Sequence, residues 1–506
     1  MNTMTSRAQG EGEAADVALL LEGTYPFVRG GVSSWVHQII SALPEVTFSL
    51  VFMGSRRQDY GEPAYKPPPN VRQVVHRFLF DPVEEPPRSA TDKAAQFDAV
   101  AKFHSELRAS KPGQIMRSEG LDQIMRAMGD PSGIGLGDLL HSDRAWHRIC
   151  EAYQRECPGG SFLDFFWTIR TMHASLFGLG DLARCVPAAR SYHAVSTGYA
   201  GFLGAMLRKQ RGRPLILTEH GIYTKERKID LASAAHLPGD GADGQGFGRR
   251  LWIRFFEGLG RITYAEADPV ISLYDGNRQR QLQDGAPAER TRVIPNGVDV
   301  DRFRPLRALR PPKPPLVIGL LGRVVPIKDI KTFIRAMKTV FGQIPEAEAW
   351  IIGPTEEDKA YFAECTQLAA TLGLGDRLKF LGFAAPETVL PKVGLLALTS
   401  ISEALPLVIL EAFASGLPVI ATDVGACREL VEGRTPEDRA LGAGGAIVPI
   451  SDPEATARAA IELLRDPVRW KAAQEAGIKR VETFYTRAIM IDAYRQVYQE
   501  AIADVK

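Results

Sequence analysis

Residues 316–329, LVIGLLGRVVPIKD, decide the fold because an apolar strand runs directly into a basic turn. The continuous apolar run Leu316–Gly322 is typical of a strand covered on both faces, as in parallel sheets. Gly322 permits a tight turn at its end. Arg323 and Lys328 then lie near the carboxyl end of the strand, where open α/β sheets bind their ligands. The stretch predicts a doubly wound α/β domain with a basic ligand site.

A second motif, EALPLVILE at residues 403–411, places two carboxylates eight positions apart. On one continuous helix such a pair shares a face only loosely. Pro406 disfavours helix at the preceding residue and suits the first helical turn. Glu403 is therefore predicted in a loop and Glu411 in the second turn of a helix, so that both border the helix N-terminus.

The start of this predicted helix also supplies backbone donors. The N–H groups of Leu405 and Leu407 are candidate ligands for phosphate or sugar, because helix N-termini attract anions and Pro406 has no N–H. Residues 416–425, GLPVIATDVG, then indicate another strand and a glycine turn. The motifs G-R-x4-K, E-x7-E and T-D-x-G follow in this order on alternating strands and helices. Together they are specific enough to point to one family.

This set resembles the family 4 retaining glycosyltransferases, which have the GT-B fold of two Rossmann-like domains facing a cleft. Residues 294–431 carry that resemblance most clearly. Residues 21–35 and 218–223 also resemble the PelF group, cytosolic glycosyltransferases of bacterial Pel exopolysaccharide synthesis, and this likeness covers nearly the whole chain. The resemblance implies a hexosyl or N-acetylhexosaminyl transferase that moves a sugar from a UDP-sugar donor onto a growing polysaccharide acceptor.

By the same resemblance, Arg323 and Lys328 bind the donor diphosphate, and Glu411 holds the ribose hydroxyls. Glu403 faces the donor sugar, with its role left open between covalent and electrostatic catalysis. Phe383 belongs to the segment that cradles the nucleobase. Because two cations and a helix N-terminus neutralise the departing diphosphate, no metal and no cofactor are expected.

The N-terminal half contributes weaker candidates. His220 follows a strand and precedes a glycine, which favours a catalytic or sugar-contacting role at the sheet edge. Gly30 and Gly31 form a glycine loop after the first strand, through which the backbone can approach a ligand closely. Lys225 and Arg227 are candidates to line an acceptor channel.

Composition narrows the class of protein. The chain has 506 residues and a net charge of +1, so it needs more than one domain and has no global basic field for nucleic acid. Its five cysteines form no CxxC pair, which favours a reducing cytoplasm. No apolar run approaches the roughly 18–20 residues of a spanning helix. Peripheral association with the inner membrane would then run through partners, the Pel export and synthesis proteins.

Breaks in the pattern of strands and helices predict the order of domains. An N-terminal Rossmann-like acceptor domain and a C-terminal nucleotide-sugar domain are separated by a proline-rich linker. The predicted segments are a disordered leader over 1–15, the first domain over 16–304 with a helical insertion at about 90–189, the linker over 305–315, the second domain over 316–481, and a helix over 486–503 that crosses back to the first domain.

Two alternatives stay open at this stage. One is another GT-B enzyme, such as a UDP-sugar epimerase, and the other is a non-catalytic subunit that only binds a nucleotide sugar. The intact set Arg323, Lys328, Glu403 and Glu411 argues against both.

Overall fold

The computed structural model describes residues 4–7, 14–81, 93–109, 113–116, 118–130, 133–233 and 246–503. The chain divides into two compact units. The first unit comprises Met1–Ser272, Asn277–Val293 and Ala493–Lys506, and the second comprises Leu273–Gly276 and Ile294–Asp492. Each unit is built on its own sheet.

The described residues of the first unit form a sheet of eight strands in the order β1-β4-β3-β2-β5-β6-β7-β8. Neighbouring strands are parallel, except that β1 pairs antiparallel with β4. The strands are β1 Met4–Arg7, β2 Ala15–Glu22, β3 Phe48–Gly54, β4 Val71–Phe78, β5 Ala189–Ala194, β6 Leu215–Glu219, β7 Val270–Ser272 and β8 Thr291–Val293.

Helices follow the strands of this sheet. They are α1 Gly31–Ala42, α2 Ala94–Ala109, α3 Glu119–Ala127, α4 Leu136–His141, α5 Asp143–Glu156, α6 Phe162–Cys185, α7 Tyr199–Arg211, α8 Tyr223–Ser233, α9 Phe247–Glu266 and α10 Asp275–Gln283. The five helices α2 to α6 lie between β4 and β5, which confirms the predicted helical insertion.

The second unit has a fully parallel sheet of six strands in the order β11-β10-β9-β12-β13-β14. The strands are β9 Val317–Leu321, β10 Glu348–Ile352, β11 Leu378–Gly382, β12 Leu395–Leu398, β13 Val419–Thr422 and β14 Gly445–Val448. The helices are α11 Val300–Phe303, α12 Ile330–Gln343, α13 Lys359–Thr371, α14 Pro386–Val389, α15 Leu407–Ala414, α16 Cys427–Glu432, α17 Pro436–Arg439, α18 Pro453–Arg465 and α19 Pro467–Phe484. The last helix, α20 Arg487–Ala503, belongs to this unit up to Asp492 and to the first unit from Ala493. Two Rossmann-like α/β sheets confirm the predicted fold class.

Strand β9 and helix α12 show why the opening motif folds as it does. The middle of β9 is buried, as its apolar run predicts. Asp329 caps α12 from a left-handed conformation, with φ at 44°, and its carboxylate accepts the N–H of Thr332 at 3.2 Å. The cap fixes the end of the basic turn relative to the sheet, because it satisfies a helix donor that would otherwise be free.

The end of the chain packs into the first unit through a buried polar network. Tyr498 on α20 shares a hydrogen bond with Nδ1 of His193 at 2.9 Å, and Nε2 of that ring lies 2.9 Å from the hydroxyl of Thr218. Thr218 also lies 3.2 Å from the hydroxyl of Tyr494. His193 is therefore a buried structural histidine, and burial lowers its pKa to about 3.

Two predicted segment boundaries need correction. The leader predicted over residues 1–15 contains β1, which adds to the edge of β4, and β2 already begins at Ala15. A four-residue strand of this kind gains its order from backbone bonds to an existing edge, which leaves no hydrophobic pattern in the sequence. The first domain was predicted to extend to residue 304, but the residues from Ile294 onward belong to the second unit.

The predicted linker over 305–315 is partly built into the second unit. A 3₁₀ helix covers Arg304–Leu309, and Leu306 is buried in the same cluster as Val298 and Phe303. Arg307 donates to the carbonyl of Ala414 at 2.8 Å. Proline content marked this segment as a connection, but its apolar side chains decide where it packs.

Candidate functional site

The turn after β9 presents the two predicted cations at the carboxyl end of the second sheet. Arg323 is exposed and donates to Glu357 at 2.5 Å. Lys328 is more enclosed, with 22% of its side chain exposed. A Cβ at Gly322 would lie 3.6 Å from the Lys328 side chain, so the lysine folds back over the turn. The turn therefore holds both cations on one loop, as the sequence predicts.

Lys328 and Glu403 are brought into direct contact. The Lys328 ammonium lies 2.5 Å from the Glu403 carboxylate, and the Ser400 hydroxyl donates to the same oxygen at 2.6 Å. The hydroxyl of Thr399 donates to the backbone carbonyl of Lys328 at 3.0 Å, which ties the turn to the end of β12. A charge-assisted pair of this length fixes both side chains at the sheet edge.

Gly425 explains why the motif ends in a glycine. Its φ is 53°, and a Cβ there would approach the Glu403 carbonyl oxygen to 2.3 Å. The next residue, Ala426, donates its N–H to the carbonyl of Ala404 at 2.8 Å. The loop that carries Glu403 is thus supported from behind by the turn after β13, which only glycine allows.

Helix α15 begins where Pro406 predicts. Pro406 is the residue before its first turn, Glu403 lies in the preceding loop, and Glu411 falls in the second turn. Within the described part of the chain, the N–H groups of Leu405 and Leu407 have no protein acceptor. These free donors are the arrangement that binds an anionic oxygen.

Glu411 is held as an unusually weak acid. Burial raises its pKa to about 7, Arg302 opposes that shift, and Glu387 adds to it. Arg302 forms an ion pair with Glu387, so its charge is already shared. A carboxyl without a protein donor, in a part-buried position, is suited to receive hydroxyl groups of a ligand.

Phe383 follows the turn at the end of β11. Its side chain is 83% exposed, and the preceding Gly382 has φ at 65°. An aromatic ring left open beside a strand end is available for stacking, and its assignment to the nucleobase stays a prediction.

His220 lies directly after β6 in the first unit. Its ring packs edge-on against Trp35 with centroids 4.7 Å apart, and its Nε2 atom is buried without a partner among the described residues. Burial lowers the pKa of His220 to about 4, so the ring is neutral near pH 7. A neutral imidazole with an unpartnered nitrogen can exchange one hydrogen bond with a ligand.

The glycine loop is open. A Cβ at Gly30 or Gly31 would meet nothing within 4 Å, so packing within the first unit does not require glycine at either position. Lys225 and Arg227 both lie on α8, directly after His220. Arg227 pairs with Asp230 at 2.8 Å and lies over the ring of Tyr223.

Two glutamates that the sequence reasoning missed end strands of the first sheet. Glu22 ends β2 and Glu219 ends β6. Burial raises the pKa of Glu219 to about 7 although it accepts four hydrogen bonds, and Tyr264 gives the shortest, at 2.6 Å. The rule that ligands bind at the carboxyl ends of parallel strands points to both residues, as it does to His220.

Among the residues that the structure describes, no group of three or more histidine, cysteine, aspartate or glutamate side chains could hold a metal ion. No helix in that part of the chain is both long and apolar enough to cross a membrane. The metal-free reaction itself stays a prediction.

Comparison with known families assigns the two halves separately. Residues 15–289 match the model of a family described as a domain of unknown function, DUF3492. The chain belongs to this family. Residues 315–466 match the model described as glycosyl transferases group 1. The DUF3492 region thus spans most of the first unit, and the glycosyltransferase region contains Arg323, Lys328, Glu403 and Glu411.

Two glycosyltransferases are similar to this chain at low identity, over more than half of its length. A D-inositol 3-phosphate glycosyltransferase of Catenulispora acidiphila is 28% identical over 325 residues, which cover 60% of this chain and 70% of the relative. A second such enzyme, from Thermobispora bispora, is 28% identical over 323 residues, which cover 60% and 69%. The similarity extends beyond the group 1 domain.

Solved structures share the fold over almost the full length. Sucrose-phosphate synthase from Thermosynechococcus elongatus has a TM-score of 0.57 at 20% identity, covering 96% of this chain and 99% of that one. Anabaena Alr3699/HepE, solved with UDP and glucose, has a TM-score of 0.55 at 16% identity with the same coverage. This DUF3492 protein has the GT-B fold, and its group 1 domain makes it a glycosyltransferase similar to family 4.

Proposed function

We propose that this protein transfers a sugar from a UDP-sugar, with retention at the anomeric carbon, onto a growing exopolysaccharide chain of the Pel type. The contact between Lys328 and Glu403, 2.5 Å long and beside the free N–H groups at the start of α15, is the observation that carries the proposal. The contact supports the proposal because it brings a cation suited to a diphosphate and a carboxylate suited to a sugar together at one sheet edge.

The chemistry divides among these groups. The bond between the sugar C1 and the β-phosphate oxygen breaks, and its electron pair stays on the departing UDP. Arg323, Lys328 and the N–H groups of Leu405 and Leu407 stabilise that developing charge. The acceptor hydroxyl bonds to C1 on the face that UDP leaves, and its proton passes to the departing phosphate.

Glu403 then acts electrostatically in this proposal. Its carboxylate is already bound by Lys328 and Ser400, and it faces the region where positive charge develops on the sugar ring. Glu411 accepts the ribose hydroxyls and Phe383 stacks on the uracil. In this proposal the carboxyl edge of the first sheet, with His220, binds the acceptor.

The donor and the partners follow from resemblance. The PelF-like segments support a Pel-type polysaccharide and a hexosyl or N-acetylhexosaminyl donor. They also support contact with inner-membrane Pel export and synthesis proteins from the cytoplasmic side. The two cations and the helix N-terminus support turnover without a divalent metal or a cofactor.

The two inositol-phosphate glycosyltransferases favour a second class of acceptor. Two proteins at 28% identity are D-inositol 3-phosphate glycosyltransferases, and their similarity covers 60% of this chain. On that reading the same donor chemistry serves a small phosphorylated cyclitol. The two candidates differ in whether the acceptor carries a phosphate.

The deciding experiment incubates the purified protein with a panel of UDP-sugars and two acceptors, an N-acetylhexosamine tetrasaccharide and inositol 3-phosphate, with and without EDTA. We expect transfer to the tetrasaccharide, unchanged by EDTA, with the anomeric configuration retained in NMR spectra. Glu403→Gln should reduce transfer by about 100-fold or more, as loss of a charge-stabilising group does.

Each other outcome has a distinct meaning. Epimerised UDP-sugar without acceptor indicates an isomerase on this fold. UDP-sugar binding without any turnover indicates a non-catalytic subunit. Full loss of activity in EDTA that magnesium or manganese restores contradicts the metal-free reaction.

A further inference from the structure

A carboxylate of the protein occupies the N-terminus of α7, a helix of 13 residues at the carboxyl edge of the first sheet. Glu22 accepts the backbone N–H of Ala200 and the hydroxyl of Ser196, each at 3.3 Å. The phenol of Tyr223 donates to the other carboxylate oxygen at 2.6 Å. A helix N-terminus attracts anions, and here the chain supplies its own.

The approach of Glu22 to this helix depends on Gly198. A Cβ at Gly198 would come within 2.4 Å of the Tyr223 ring and 2.6 Å of a Glu22 carboxylate oxygen. Any side chain there would push Glu22 or Tyr223 away. The carboxylate position is thus built into the backbone and does not arise from a chance rotamer.

Two donors beside Glu22 lack partners. The hydroxyl of Tyr199 is buried in a side chain only 5% exposed, and it has no hydrogen-bond partner among the described residues. The Nε atom of Arg227 is also buried and unpartnered, while its terminal nitrogen pairs with Asp230. Buried donors without acceptors are rare because they are costly.

These groups lie within electrostatic reach of one another. The pKa of Tyr199 is raised mainly by burial and lowered by the neighbouring Ser175 hydroxyl, while the charge of Glu22 raises it and that of Arg227 lowers it. The Arg227 guanidinium lies 5.3 Å from the centre of the Tyr223 ring, whose hydroxyl binds Glu22. Among the described residues, Glu22 and Arg227 form no ion pair with each other. The three hydrogen bonds to Glu22 leave about one of the four acceptor positions of its carboxylate for a ligand.

We propose that Glu22, Tyr199 and Arg227 form the acceptor-binding site and select an uncharged, hydroxyl-rich acceptor over a phosphorylated one. A hydroxyl group both donates and accepts, so it can donate to Glu22 while accepting from Tyr199 or Arg227. A phosphate only accepts, and the Glu22 carboxylate at the helix N-terminus repels it. The inference rests on the proposed sugar transfer and chooses between its two acceptor classes.

The test compares wild type with Glu22→Gln and Tyr199→Phe, each with chitotetraose and inositol 3-phosphate as acceptors. Glu22→Gln should lower kcat/KM for chitotetraose about 10-fold, mainly by raising KM. This is the loss expected when one charged hydrogen bond is removed. Its preference for the phosphorylated acceptor should rise. Tyr199→Phe should lower kcat/KM for chitotetraose a few-fold and leave the phosphate preference unchanged.

Matched controls separate the site from folding and from donor binding. Glu257→Gln, on α9 and paired with Lys228, should change neither acceptor. UDP affinity should be equal in all variants, because they leave the second unit intact. If Glu22→Gln leaves the acceptor preference of wild type unchanged, or if wild type prefers inositol 3-phosphate, the site assignment is wrong.

Direct binding keeps the inference testable if no transfer is detected. Saturation-transfer NMR with chitotetraose should then show binding to wild type and about 10-fold weaker binding to Glu22→Gln. Equal binding in both, or no binding to wild type, overturns the site. Should Glu22→Gln fail to fold, the same binding measurement with Tyr199→Phe tests the site, and unchanged chitotetraose binding in that variant would overturn it.

Discussion

Glu411 in the second unit and Glu219 in the first are alike in ionisation and opposite in partners. Burial raises the pKa of each carboxyl to about 7. Glu219 accepts hydrogen bonds from Thr197, Tyr264, Gln281 and the backbone of residue 223. Glu411 accepts none within the described chain and has only the charges of Arg302 and Glu387 nearby.

The difference separates two uses of a buried acid. A carboxylate that accepts all its hydrogen bonds from the protein links the helices and strands that carry those donors. A carboxylate that is buried but unsaturated is stabilised only when a ligand brings hydroxyl groups. A shifted pKa alone therefore does not mark a binding residue, whereas a shifted pKa together with missing donors does.

The largest effect should come from substituting these two acids in the same way. Glu219→Gln replaces an acceptor by an amide that cannot accept all four bonds, and should lower the free energy of unfolding by about 3 kcal/mol. Glu411 accepts no hydrogen bond from the described residues. Glu411→Gln should therefore change the free energy of unfolding by less than about 1 kcal/mol. Thermal unfolding at pH 7.5 measures the stability of both variants. Equal losses of stability would contradict the distinction between the two carboxylates.

The next effect concerns the cations beside Glu403. Arg323→Ala and Lys328→Ala should each weaken UDP binding by about 10- to 100-fold, the range for charged hydrogen bonds. Calorimetry with UDP and with uridine distinguishes a diphosphate contact, because uridine should bind all variants equally. Glu357→Gln, which removes only the partner of Arg323, should leave UDP affinity unchanged or raised. Unchanged UDP affinity in both alanine variants would refute the diphosphate assignment.

Glu411 should also make UDP binding depend on pH. Its pKa of about 7 exceeds the ordinary 4.5, so the folded state holds its proton, and its contribution to stability declines as pH rises from about 4.5 to about 7. Ribose hydroxyls donate best to the ionised form, so UDP affinity should rise by about 10-fold as pH approaches 7 and the free folded protein loses this proton. UDP itself titrates nearby, so the measure is the ratio of wild type to Glu411→Gln. A ratio that stays flat from pH 5.5 to pH 8 would contradict the ribose contact.

The smallest effect is expected at His220. His220→Ala should reduce transfer by about 2- to 10-fold, the weight of one neutral hydrogen bond, and leave UDP affinity unchanged. Since its pKa is about 4, the transfer rate of wild type should show no ionisation attributable to it between pH 5.5 and 8. His147→Ala, at an exposed position on α5, is the matched control. A loss of UDP affinity in His220→Ala would contradict a role confined to the first unit.

The proposed donor site could be predicted from the sequence because its parts are local. The run 316–329 carries a strand, a turn and two cations within one short segment, and Pro406 fixes the start of α15. Backbone sterics and strand burial act over a few residues, so their signatures survive without knowledge of the fold. The contact between Lys328 and Glu403 needed only the added rule that parallel strands end at one edge.

The proposed acceptor site could not be predicted from the sequence because its contacts join distant parts of the chain. Glu22 meets Ala200 and Tyr223, and Glu219 meets Tyr264 and Gln281. No spacing in the sequence relates such residues, since long helices and loops separate them. The same reason explains the misplaced boundary at residue 304, where burial of Phe303 rather than proline content decides.

By itself, the sequence determined the α/β class, the two Rossmann-like units, the helical insertion and the basic turn after β9. These follow from periodicity, turn chemistry and charge within short windows. Only the tertiary structure decided which carboxylates are saturated, that Gly425 supports the Glu403 loop, and that Glu22 fills the N-terminus of α7. Partners of a buried polar group are chosen by packing across the whole sheet, and that information exists only once the chain has folded.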